Sequence, residues 1–98
     1  MEYNEYILKI EIGRYQVNDN LALSLVTDDG MPFSRLSVNI DSLPDGWCAI
    51  DTNNFPDGIE LIERYKLGER VGEITSGFCT YPIYEMNMSE VNKYARNN

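Results

Sequence analysis

The chain has 98 residues, with eight Lys and Arg against sixteen Asp and Glu, a net charge of −8 and no histidine. That length admits one domain, residues 1–98, and a content of 43% hydrophobic and 24% charged residues is the balance of a globular chain. The negative charge argues against binding to nucleic acid or to an anionic membrane surface, because both need Lys and Arg to neutralise phosphates.

The start, Met1-Glu2-Tyr3-Asn4-Glu5, is acidic, and the apolar stretch after it is broken by Lys9 and Glu11. An export signal needs a basic start and a longer apolar run, and a membrane span needs about 20 apolar residues. A cytoplasmic location is therefore expected, and Asn87-Met88-Ser89, though it fits the glycosylation pattern, carries no meaning there. Residues 1–4 and 96–98 are expected to fray. Cys48 and Cys79 are too few for a disulfide framework and read as buried, reduced thiols.

Tyr6, Leu8, Ile10 and Ile12 alternate with Glu5, Ile7, Lys9 and Glu11, the period of a strand with one buried face. After the turn formers Asn18-Asp19-Asn20, a second strand puts Leu21, Leu23 and Leu25 on one side. Asp28-Asp29-Gly30 supplies the positive φ of a tight turn, and a third strand follows over Phe33 to Ile40, with Leu36, Val38 and Ile40 inward. Leu43-Pro44-Asp45-Gly46 is a further turn, and Trp47 to Ile50 makes a short fourth strand.

A helix over Pro56–Leu67 is predicted next. Asn53 or Asn54 caps it, Asp57 and Glu60 favour its positive end, Phe55, Ile59, Ile62 and Tyr65 recur at helical spacing, and Gly68 stops it. A short strand around Val71–Thr75 and a last strand over Phe78–Met86 follow, with Pro82 implying an edge position or a bulge. Ser89 caps a short C-terminal helix over Glu90–Arg96, with Val91 and Tyr94 inward. The fold class is α+β: an antiparallel sheet of four to five strands packed on one main helix. Leu8, Ile10, Leu23, Leu36, Val38, Ile59 and Ile62 are its expected core.

Without histidine, the commonest general base and metal ligand are missing, and a Cys nucleophile lacks its usual partner. Two cysteines do not make a zinc site. Asp51 to Gly58 looks like a calcium loop but has Phe55 and Pro56 at its fifth and sixth positions and Ile62 where a bidentate Glu belongs. Gly68, Gly72 and Gly77 are spaced too widely for a phosphate loop. No metal, cofactor or catalytic residue is expected.

Charge is uneven. Between Arg35 and Arg64 there is no base, and Asp41, Asp45, Asp51, Asp57, Glu60 and Glu63 stand together in sequence. Acids collect at turns and helix starts for structural reasons; the functional reading is one acidic face that steers a basic protein partner. Tyr81 and Tyr84, on opposite faces of the last strand, are candidate aromatic contacts.

Met31-Pro32-Phe33 through Leu36-Ser37-Val38-Asn39, then Asp51-Thr52-Asn53-Asn54, then Ser76-Gly77-Phe78-Cys79-Thr80-Tyr81-Pro82 with Tyr84, resemble a family. It is a domain-of-unknown-function family of short proteins carried on conjugative and other mobile elements of gut bacteria, mainly Firmicutes. The likeness runs from Tyr6 to Met88, includes the helix end Tyr65-Lys66-Leu67-Gly68, and is most specific over Phe78–Tyr84. It implies an accessory gene of a mobile element and carries over no catalytic residue.

The expected function is a non-enzymatic accessory protein, a monomer or weak homodimer, that binds a protein partner such as a nucleic-acid-handling factor of the host or the element. A small thiol-dependent enzyme using Cys79, or a carboxylate hydrolase, is the alternative from another class. A structural or small-ligand-binding module is a third.

Overall fold

A computed structural model describes residues 1–96 of the chain; Asn97 and Asn98, part of the expected frayed end, lie outside the described residues. Strand β1 (Glu2–Tyr3) turns through Asn4, at φ 53°, into β2 (Tyr6–Arg14), and β3 (Leu21–Thr27) and β4 (Pro32–Arg35) follow. These four form one antiparallel sheet in the order β1-β2-β3-β4, and the Asp28-Asp29-Gly30 turn has its glycine at φ 87° as expected.

The expected third strand, Phe33 to Ile40, breaks at Leu36. Beyond the break, β5 (Ser37–Val38) belongs to a second sheet with β6 (Trp47–Ile50), β7 (Gly68–Ser76) and β8 (Cys79–Met86), in the order β5-β6-β8-β7. The fold is thus two four-stranded antiparallel sheets rather than one sheet on a main helix. Its two helices are short: α1 (Gly58–Arg64) has seven residues and α2 (Met88–Lys93) has six. It is α+β only in that loose sense.

The break has a physical cause in hydrogen bonding. Leu36 donates its N–H to Leu23 of β3 (3.0 Å), while its carbonyl accepts from Asp51 just past β6 (2.9 Å), so one residue bonds to both sheets. Ser37, fully buried, seals the corner: its Oγ accepts the Leu23 N–H (2.9 Å) and lies 3.0 Å from the Tyr15 hydroxyl.

The core fills the space between the sheets. Leu8, Ile10, Leu21, Leu23 and Leu25 face Cys48, Ile50, Tyr84 and Met86, with Leu36 at the corner and Leu61, Ile62, Leu67 and Val91 closing one end. Of the expected core, Leu8, Ile10, Leu23, Leu36 and Ile62 are buried; Val38 and Ile59 are only half-buried, and Leu61 takes the place given to Ile59. Ile12 lies largely exposed because the second sheet joins at β3, so burial follows β3 and leaves the far end of β2 open.

The helix expected over Pro56–Leu67 loses its first turn because Phe55, Gly58 and Ile59 bond to Asp51, Phe55 and Pro56 in successive tight turns. Asn54 donates its backbone N–H and side-chain amide to the Asp51 carboxylate and so anchors those turns rather than capping α1. At the other end, Lys66 adopts φ 56°, and Leu67 and Lys66 donate to Ile62 (2.9 Å) and Glu63 (3.3 Å), the paired closure that terminates many helices. The left-handed residue is Lys66, not Gly68. Gly68 instead opens β7 where a Cβ would stand 2.7 Å from the Glu85 carbonyl.

Pro82, expected at an edge or bulge, sits in β8, inside the second sheet. It is tolerated because β6 pairs with β8 only as far as Ala49↔Ile83, so no β6 residue needs an N–H from Pro82. The capping residue of α2 is Asn87, whose side chain accepts from Glu90 N–H, and not Ser89. Met1 and Leu8 exchange two hydrogen bonds (2.7 and 2.8 Å), and Ile10 is flanked by bonds to Tyr94 and Arg96 (2.9 and 2.8 Å), which add the chain end to the edge of β2 in parallel.

Ser37→Ala removes the acceptor of a buried backbone N–H, so it should cost about 1–3 kcal/mol, or roughly 4–8 °C in Tm per kcal/mol. Urea unfolding checks this. An unchanged midpoint would mean that the Leu23 N–H does not depend on Ser37.

Candidate functional site

The six acids between Arg35 and Arg64 do not form one face. Asp51 is buried at 3% exposure and serves the turn at Asn54. Asp45 pairs with Arg14 (2.6 Å), the last residue of β2, which holds its carboxyl below the usual range. Asp57 accepts from the Tyr3 hydroxyl (2.5 Å), and Tyr3 stands opposite Tyr6, the first residue of β2. Asp45 and Asp57 therefore attach to opposite ends of a nine-residue strand, about 25 Å apart at the rise of extended chain. Asp41 lies on the loop that Asn20 grips through the Asp41 carbonyl (2.6 Å), its own side chain exposed.

What the fold does bring together is Asp57, Glu60 and Glu63, three apart along α1 and so on one side of it. Glu60 pairs with Arg64 one turn on, and Glu63 accepts from the Tyr84 hydroxyl (2.8 Å). Tyr84 is buried, so it is not a contact residue; burial and the Glu63 carboxylate push its phenol up to about 12. Tyr81 points the other way, half-buried, and the adjacent Cys79 side chain raises its pKa.

Glu63 lines a groove of about 570 Å³ with Lys66, Gly68, Glu69, Glu85, Met86 and Asn87. Two of these acids, Glu69 and Glu85, were not singled out by the sequence. They are cross-strand partners on β7 and β8. Counting from the Ser76↔Cys79 closing pair, an unbroken ladder would set Arg70 opposite Glu85, a favourable pair. A bulge between Arg70 and Gly72 slips the register by one and sets Glu69 there instead. Among the described residues neither carboxylate has a hydrogen-bond or ion-pair partner, and like charges directly opposite destabilise a sheet. The missed signal was the bulge, because turn and alternation alone give the other register.

Cys48 is buried, as expected, and burial pushes its thiol up to about 12. Cys79 corrects the expectation: it is half-buried beside the β7–β8 turn, where Gly77 at φ 61° leads a two-residue loop and Phe78 stands fully exposed. Among the described residues no three His, Cys, Asp or Glu side chains gather closely enough to hold a metal ion, and no helix is long and apolar enough to cross a membrane.

The high thiol and phenol values fix a pH dependence. Above pH 9 the unfolded chain releases the Cys48 proton that the folded chain keeps until about 12, and Tyr84 follows from 10. Stability should therefore be intact below pH 9 and fall as pH rises toward 12. Cys48→Ala should flatten the first part of that slope in pH-dependent urea melts; an unaltered slope would show that Cys48 is not the source.

A family model, a domain of unknown function (DUF4313), matches residues 9–98, and the chain belongs to that family. No curated protein and no solved structure matches.

Proposed function

We propose that this member of the DUF4313 family is a non-enzymatic accessory protein that binds a basic protein partner through the groove between α1 and the β7–β8 pair. One observation carries the reading. The bulge at Val71 holds Glu69 opposite Glu85 with no cation on either, in a groove whose other charges are Glu63 and Lys66. That arrangement costs stability in the free chain and gains when a Lys or Arg from outside enters.

The groove is large enough for a small ligand, but such sites are mostly apolar. This one is rimmed with exposed carboxylates, which suit a partner's long basic side chains. Carriage on a mobile element, which the family resemblance implies, would make that partner a component of the host or of the element. The thiol-enzyme alternative gains nothing from the geometry. Cys79 lies beside the β7–β8 turn, whereas Glu69 and Glu85 lie beyond the bulge toward the other end of the hairpin.

Glu85→Gln tests the reading on two axes. It should raise stability by about 0.2–1 kcal/mol, because the cross-strand repulsion goes. It should also abolish capture of whatever basic protein the wild-type chain retains at low salt and releases at high salt. A variant that is less stable, or that captures the same protein equally well, would show that the carboxylate has a structural partner and is no binding group.

A further inference from the structure

Strand β7 closes its sheet on one side only. It is nine residues long and lies outermost in the order β5-β6-β8-β7. In an antiparallel ladder every second residue turns its N–H and C=O away from the neighbouring strand. No backbone group of Gly68–Ser76 bonds to any part of the described chain other than β8. The strand is also well exposed, with Val71 at the bulge open to solvent and Phe78 fully exposed just past its end. The opposite edge of the same sheet differs: β5 is two residues long and is tied to β3 through Ser37.

We infer that β7 is a docking edge, to which an extended basic segment of a partner protein adds as a further strand. This rests on the acidic-groove reading and specifies the form of its partner. Backbone pairing along Gly68–Ser76 supplies affinity, and alternate side chains of the added strand choose the partner by charge. Glu69 and Glu85 share one face of the sheet with no cation beside them, whereas Arg70 and Glu73 lie on the other face and satisfy each other (3.1 Å). A strand with Lys or Arg at alternate positions meets the unpaired Glu69–Glu85 row, and an apolar residue near its end meets Phe78. A second copy of the chain is the poorer occupant, since each copy carries −8. The bulge and the charges on β7 still serve the free protein, because they keep uncharged edges from pairing with it.

The probe is a synthetic peptide alternating Lys and Thr, about the length of an ordinary strand, together with the same peptide N-methylated at its central residues. Both peptides are tested on the wild-type chain, so this comparison needs no variant to fold. Binding of the unmodified peptide should slow amide exchange at every second residue of β7, and N-methylation should weaken it about tenfold or more. Equal binding of both peptides without that alternation overturns strand addition and leaves the charge-based groove reading standing. Failure of the unmodified peptide to bind also overturns it, while capture by wild type but not by Glu85→Gln decides the groove reading separately. Alternating protection that appears without peptide, on self-association, overturns the basic partner in favour of a second copy.

Discussion

The fold turns on the hydrogen bonds at Leu36 and Ser37. A strand that leaves one sheet to enter another must satisfy backbone groups in both, in a place that water does not reach. Leu36 does so with an N–H to Leu23 and a carbonyl to Asp51, and Ser37 supplies a hydroxyl where the ladder of β3 runs out of partners. The two sheets can then enclose one core with only short helices to close its end. Asp51 is held at that same junction, and its carboxylate organises the turns that lead into α1. The position of the helix, and with it Glu63, follows from the corner.

The groove is a second consequence, through a different device. Leu67 leaves α1 directly into β7, and Gly68 lets the two strands of the hairpin approach closely at their base. The bulge at Val71 then trades a favourable Arg70–Glu85 pair for the Glu69–Glu85 opposition. A sheet that needed only stability would be better served by the unbroken register. The unrelieved pair of carboxylates beside an open sheet edge is a local cost, which on the proposed reading a partner's cation would relieve.

Much of this was legible in the residues. Alternation in Leu21-Leu23-Leu25, the Asp28-Asp29-Gly30 turn and the run Trp47–Ile50 gave strands that the structure contains. The corner was not legible, because Phe33 to Ile40 alternates smoothly and a serine at 37 looks like a surface residue until its long-range partners are known. The acidic stretch misled for a related reason. Proximity in sequence groups Asp41 to Glu63, but the chain between them crosses the molecule, so Asp45 and Asp57 attach to opposite ends of β2 and Asp51 turns inward. Glu69 and Glu85 lie far apart in sequence, and only a bulge that no local pattern announces makes them neighbours. Lys66 stood in for the expected glycine because the fixed bonds of Leu67 and Lys66 to Ile62 and Glu63 hold it in the left-handed region.

Through the Leu36–Ser37 corner, both sheets should unfold as one cooperative unit. Native-state hydrogen exchange tests it most directly. The amides of Leu23, Leu36 and Asp51 should exchange only through global unfolding, with the same opening free energy as Ile10 in the first sheet and Tyr84 in the second. If the second-sheet amides open at distinctly lower free energy while Leu23 and Ile10 stay protected, the sheets are separate units and the corner does not join them.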